Sequence, residues 1–176
     1  MRLADTIEQW QIEQDWQGEL ERDEAQQTAT LEAGYRIKEQ SFKLYLETDE
    51  ENDWLAVYLY APFNALEHKQ IECALLCNSI DARRSAGSIH VLPDGRIRYR
   101  QTIDVEGMTV SGVMISNLIQ DAGDCFFAWL EEIAAVALTE ATAEEVLAQL
   151  DQEATEDESE QTEAVPEEAP EDARLH

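Results

Sequence analysis

Apolar residues recur with two different periods along this chain, and the switch between them divides it into elements. Over residues 3–24, Ile7, Trp10 and Leu20 fall on one helical stripe, with Trp16 at its edge and Ile12 off it. This predicts a first helix, with Asp5 or Thr6 as its candidate cap. From residue 28 the period drops to two. Thr28 to Ile37 is rich in β-formers and is interrupted by Gly34. Phe42, Leu44 and Leu46 alternate with Lys43, Tyr45 and Glu47, and Leu55, Val57, Leu59 and Ala61 alternate with Trp54, Ala56, Tyr58 and Tyr60. With a turn signal at residues 49–53, this reads as a three-stranded antiparallel meander with one apolar face. The second face of its third strand is aromatic, either covered by neighbours or used for binding.

Pro62 ends that strand. Asn64 and Glu67 have the spacing of a reciprocal N-cap, and Leu66, Ile71, Ala74, Leu75 and Asn78 continue at helical intervals, predicting a second helix that stops near Asp81. Residues 88–104 then read as a hairpin. Ile89 and Val91 alternate on one arm, Ile97, Tyr99 and Ile103 on the other, and Pro93-Asp94-Gly95 makes the turn, with Gly95 left-handed. Thr109 or Ser111 can cap the next helix. Ile115, Ile119, Ala122, Phe126, Trp129, Ile133 and Val136 recur at alternating spacings of four and three, a continuous amphipathic helix of roughly seven turns, with Gly123 inside it. Thr142 and Glu145 repeat the N-cap spacing ahead of a short terminal helix. The fold class expected is α+β, in the order helix, three strands, helix, two strands, long helix, with the antiparallel sheet packed by helices. Residues 1–150 form one domain in this reading. Residues 151–176 are acidic, nearly devoid of large apolar side chains, and expected to be a disordered tail.

Charge narrows the function classes. There are 39 acidic against 12 basic residues, a net charge of −27, which repels nucleic-acid phosphates and argues against nucleic-acid binding. No apolar run approaches the roughly 18 residues of a membrane span, and the N-terminus has no signal-peptide core, so a cytoplasmic protein without membrane contact is expected. Cys73, Cys77 and Cys125 are odd in number and have apolar neighbours, which points to buried free thiols. They lack the further ligands a metal site needs, and no metal or cofactor is expected. The sequence contains no Gly-rich phosphate loop, no Gly-x-Ser-x-Gly elbow and no His-Glu-x-x-His, so no catalytic residues are assigned and the chain is not expected to be an enzyme.

Two features remain as candidate protein-binding sites. Five of the twelve basic residues fall between positions 83 and 100. Arg96, Arg98 and Arg100 alternate and so share one face of their strand, with Arg83 and Arg84 just upstream. The second candidate is the aromatic face formed by Trp54, Tyr58 and Tyr60.

Residues 55–136 resemble the YbjN-like family of bacterial proteins, and the order of elements is similar to that of type III secretion chaperones. The resemblance is carried by Leu55-Ala-Val-Tyr-Leu-Tyr60, by the helix ending Ala74-Leu-Leu-Cys-Asn78, by Pro93-Asp-Gly-Arg-Ile-Arg-Tyr99, and by the helix from Val113 to Phe126. It implies a compact α+β domain, often dimeric, acting in sensory-transduction regulation or as a chaperone-like binding module. No functional residue is carried over from it. A non-enzymatic, chaperone-like or regulatory protein that binds other proteins and forms a homodimer is therefore expected. The alternative is a solubilising or structural protein whose acidic tail is the working part.

Overall fold

The computed structural model describes residues 1–152. The elements are α1 (Arg2–Glu13), β1 (Gly18–Asp23), β2 (Thr28–Ile37), β3 (Gln40–Asp49), β4 (Trp54–Asn64), α2 (Gln70–Asp81, entered through a 3-10 turn at Glu67–Lys69), β5 (Ser88–Val91), β6 (Arg96–Asp104) and α3 (Gly112–Leu138). A last helix, α4, covers residues 143–152. It crosses the expected boundary at 150, and the rest of the expected tail lies outside the described residues. The strands form one six-stranded sheet in the order β1-β2-β3-β4-β6-β5, antiparallel at every pairing. The α+β class, the meander, the hairpin and the long helix are as the sequence led us to expect. Among the described residues, no helix is long and apolar enough to cross a membrane.

The main departure lies in the first element, where the expected helix over residues 3–24 is a helix and then a strand. α1 stops because Asp15 adopts a left-handed conformation, φ 49°. The Trp16 amide donates to the Gln11 carbonyl and the Asp15 amide to that of Ile12, the hydrogen bonds of a Schellman stop. Glycine usually fills that position and aspartate tolerates it, so the sequence carries no conspicuous break. Leu20 then faces the core from β1 rather than from a helix, as it stands opposite Leu31 of β2. Nor do Asp5 and Thr6 cap α1. The helix begins at Arg2, and Glu50 from the β3–β4 turn accepts from the amides of Leu3 and Ala4 at 2.7 and 3.1 Å.

α2 is also turned from its expected face. Cys73, Leu76, Cys77 and Ile80 are buried, whereas Ile71 and Leu75, counted on the apolar stripe, are exposed. Asn64 makes no cap, because β4 runs through it, and Leu66 is the extended residue before the 3-10 turn. Lys69 is buried and its Nζ donates to the Ala141 carbonyl at 2.6 Å, tying the start of α2 to the turn before α4. The other caps form as expected: Ser111 Oγ accepts from the Met114 amide, and Thr142 and Glu145 bond reciprocally. Gly123 has a packing reason. A Cβ there would run into the ring of Tyr35, which stacks on Trp16 with centroids 6.0 Å apart.

The core lies between one face of the sheet and the helices. Leu31, Leu44, Leu46, Leu55, Val57, Leu59, Ile97 and Tyr99 meet Leu3, Ile7 and Trp10 of α1, the buried residues of α2, and Ile115, Ile119, Phe126 and Ile133 of α3. All three cysteines are free and buried there. Burial pushes the Cys125 thiol up to about 12. Cys77 is pushed up as well, by its hydrogen bond with Cys73 and by burial. Neither is a thiolate at neutral pH, so the buried, unreactive reading holds for these two thiols, whereas the hydrogen bond with Cys77 lowers Cys73 against the opposing effect of its burial.

Candidate functional site

With the helices on one face, the sheet's opposite face has no helical cover among the described residues, and strand register determines what it displays. One row crosses the sheet as Ser88, Arg100, Tyr58, Tyr45, Glu32 and Glu19 on β5, β6, β4, β3, β2 and β1. The next row runs His90, Arg98, Tyr60 and Lys43. The two candidates, aromatic face and arginine stripe, are therefore one surface. The face is graded in charge, cationic at β6 and acidic at β1, where Glu19, Glu21 and Asp23 alternate.

The arginines lie over the tyrosine rings. The Arg98 guanidinium is 4.8 Å from the Tyr58 ring centroid and 5.8 Å from that of Tyr60, and Arg98 Nη1 donates to Tyr60 Oη at 3.3 Å. Arg100 lies 5.9 Å from the Tyr58 ring, and Arg96 lies 5.2 Å from that of Tyr60. Tyr45 meets Tyr60 edge to face at 5.6 Å. Contacts of this kind are worth about 0.5–1 kcal/mol each at exposed sites and more when desolvated. They hold the guanidinium groups against the tyrosine rings, and a planar guanidinium can stack on a ring where a lysine ammonium cannot. Burial raises the Tyr58 and Tyr45 hydroxyls above the ordinary tyrosine value, so both remain proton donors at neutral pH.

Charge pairing on this ladder is incomplete. Arg96 Nε donates to Asp94 at 2.7 Å across the β5–β6 turn. Arg100 Nε donates only to the Thr102 hydroxyl, at 3.2 Å. Arg98 Nε is buried and has no partner among the described residues. Neither Arg98 nor Arg100 meets a carboxylate there, whereas Arg2, Arg22, Arg83 and Lys38 each do. Beside Arg96 the face dips into an open groove of about 380 Å³ lined by Lys43, Tyr45, Tyr60 and Asn64.

Not every predicted site residue joins the ladder. Trp54 shares the sheet face but stands at its far end, between Asp49 and Asp104. Arg83 is ion-paired with Asp151 of α4 at 2.9 Å. Arg84 lies on the helical side, 5.6 Å from the ring of the buried Tyr99, and donates to the Ala86 and Asp121 carbonyls. Lys43 and Tyr45, not among the predicted site residues, do join the ladder. Their alternation was visible in the sequence, but their place beside Tyr60 depends on the β3–β4 register. Among the described residues, no cluster of three or more His, Cys, Asp or Glu side chains could hold a metal ion.

No family model matches this sequence, and no curated protein does. Solved structures do match in fold. A chain of the HopA1–SchA chaperone–effector complex superposes with a TM-score of 0.51 at 15% sequence identity, covering 73% of this chain and 93% of that one. YbjN from E. coli superposes with a TM-score of 0.49 at 12% identity, covering 73% of this chain and 91% of that one. The first likeness shows that this chain shares a fold with a component of a chaperone–effector assembly, the fold type its element order had suggested.

Proposed function

We propose that the chain is a non-enzymatic protein-binding module, chaperone-like or regulatory, whose working surface is the open sheet face carrying Tyr58, Tyr60, Arg96, Arg98 and Arg100. The observation that carries this reading is the ladder itself: stacked aromatic and guanidinium groups on an uncovered sheet, with two cations left without a carboxylate among the described residues. Aromatic and arginine side chains are the types that dominate binding energy at protein interfaces. The likeness to the HopA1–SchA chaperone–effector complex supports a protein as the ligand. The free thiols fit a reducing compartment, and we place the protein in the cytoplasm. The domain comprises residues 1–150, with 151–176 as an acidic extension, and the domain forms a homodimer.

The test is affinity capture with the full chain and with a Tyr60→Ala/Arg98→Gln/Arg100→Gln variant of unchanged thermal midpoint. Partners retained by the parent chain should be lost from the variant, since hot-spot truncations weaken binding by about 2 kcal/mol or more each. Retention by the variant, combined with loss when the acids after residue 152 are neutralised, would instead place the working part in the tail.

A further inference from the structure

We infer that the acidic segment of residues 153–176 docks on the arginine–tyrosine ladder of its own chain. Charge on the ladder is out of balance. With 39 acids against 12 basic residues, an arginine has no shortage of possible partners, yet Arg98 and Arg100 meet none among the described residues. Their guanidinium groups already lie against the Tyr58 and Tyr60 rings, so a carboxylate that reaches them need not first order the arginine side chains. The segment supplies such groups in quantity: Glu153, Glu156, Asp157, Glu158 and Glu160 fall within its first eight residues, ahead of five more acids and a single arginine.

Where the segment begins favours the same site. α4 ends beside Arg83, through the Asp151 ion pair, and Arg83 lies just before β5. β5 is the edge strand next to β6, and its Ser88 stands directly opposite Arg100. The acids thus leave α4 at the cationic side of the sheet. From Arg100 to Arg96 is four residues of strand, about 13 Å, and even a short extended stretch spans it at roughly 3.3 Å per residue.

Net charge decides between this occupant and an acidic partner. A free acidic peptide approaching a chain of charge −27 meets long-range repulsion. A segment tethered to α4 meets the same field but is present at about millimolar effective concentration, which offsets that repulsion and lets several individually weak ion pairs act together.

The experiment uses the full, isotope-labelled chain. One variant carries Glu156→Gln, Asp157→Asn, Glu158→Gln and Glu160→Gln, and a second carries Arg98→Gln and Arg100→Gln. NMR amide shifts are followed at low and high salt, the Debye length falling from about 10 Å at 0.1 M to about 3 Å at 1 M. The low-salt amides of residues 96–100 in the first variant should match those of the parent chain at high salt. The amides of residues 153–163 should shift in the second variant, and neither effect should depend on protein concentration. Ladder amides that ignore the acid substitutions would overturn the inference and leave the face to an external partner. Shifts that fade on dilution would overturn it in favour of a segment donated by a second copy. Partner capture and segment docking are read separately, so either proposal can fail without the other.

Discussion

Tyr99 is fully buried on the helical side of β6, and its hydroxyl donates to Gln101 Oε1 at 2.6 Å. Burial pushes its pKa up to about 12, against about 10 for an unfolded chain. Below pH 10 both states hold the proton and there is no effect. Between pH 10 and 12 the unfolded chain releases it first, the native state binds more protons, and stability falls as pH rises. A shift of about two units corresponds to about 2–3 kcal/mol by pH 12. Chemical denaturation of the parent chain and of Tyr99→Phe should therefore diverge in slope only above pH 10. A difference between them that stays constant from pH 7 to 12 would contradict the assignment. Arg84 lies over this ring and donates to the Ala86 and Asp121 carbonyls, which keeps it from the ladder on the other face.

At the level of elements, α2 shows how an apolar sequence can hide its orientation. Apolar residues occur nearly all round this helix, at Ile71, Ala74, Leu75, Leu76 and Ile80, so periodicity alone does not choose a face. Packing against α3 and β5 chooses the one with Cys73, Leu76, Cys77 and Ile80. Leu76→Ala should then cost about 2–5 kcal/mol, as for other buried leucines. Leu75→Ala, at an exposed position, should stay within about 0.5 kcal/mol. Urea midpoints with unchanged slope decide it, and a reversal of the two costs would mean the helix is seated the other way round. α1 and β1 make the complementary point. A left-handed aspartate and a distant Glu50 set both ends of α1, and neither is a local signal.

For the whole molecule, the open question is how the sheet edges are managed. β1 and β5 are the two edge strands. β1 reads Gly-Glu-Leu-Glu-Arg-Asp, and two copies pairing along it would bring like charges together. β5 reads Ser-Ile-His-Val and carries no acid; Asp81 accepts from its Ile89 amide, which leaves the Val91 end of this edge as the part suited to pairing with a second copy. Across α3 most of the broad apolar stripe is used up by the core, where Ile115, Ile119, Phe126 and Ile133 are buried; the outer side mixes Asn117, Gln120, Asp124 and Glu131 with the exposed but separated Val113, Phe127 and Leu138. The proposed homodimer is therefore expected through β5. Light scattering after size exclusion should give the mass of two chains at micromolar concentration. Val91→Pro, which removes an amide that points away from β6, as the alternation of the Ile89 amide to Asp81 and the Leu92 amide to Arg96 requires, should reduce it to one without unfolding the domain. A single-chain mass for the parent protein would refute the dimer.

Periods of two and 3.6 in the sequence were enough to place β2, β3, β4, the β5–β6 hairpin and α3, because each buries one face and so must alternate. The local caps at Ser111 and Thr142 and the Pro93-Asp94-Gly95 turn were legible for the same reason, since their hydrogen bonds close within a few residues. The alternation of Arg96, Arg98 and Arg100 was legible too. Their partners were not. Tyr45, Tyr58 and Tyr60 reach these arginines only through the β3–β4 register and the β4–β6 register, the latter joining residues about 40 apart in sequence. Arg83 and Arg84, upstream of that stripe in sequence, were drawn instead to Asp151 and to the Tyr99 ring on the helical side. The sequence determined which residues alternate and where short-range hydrogen bonds close. Only the tertiary structure decided which faces meet, because a strand's period of two names two faces and says nothing of what lies across from either.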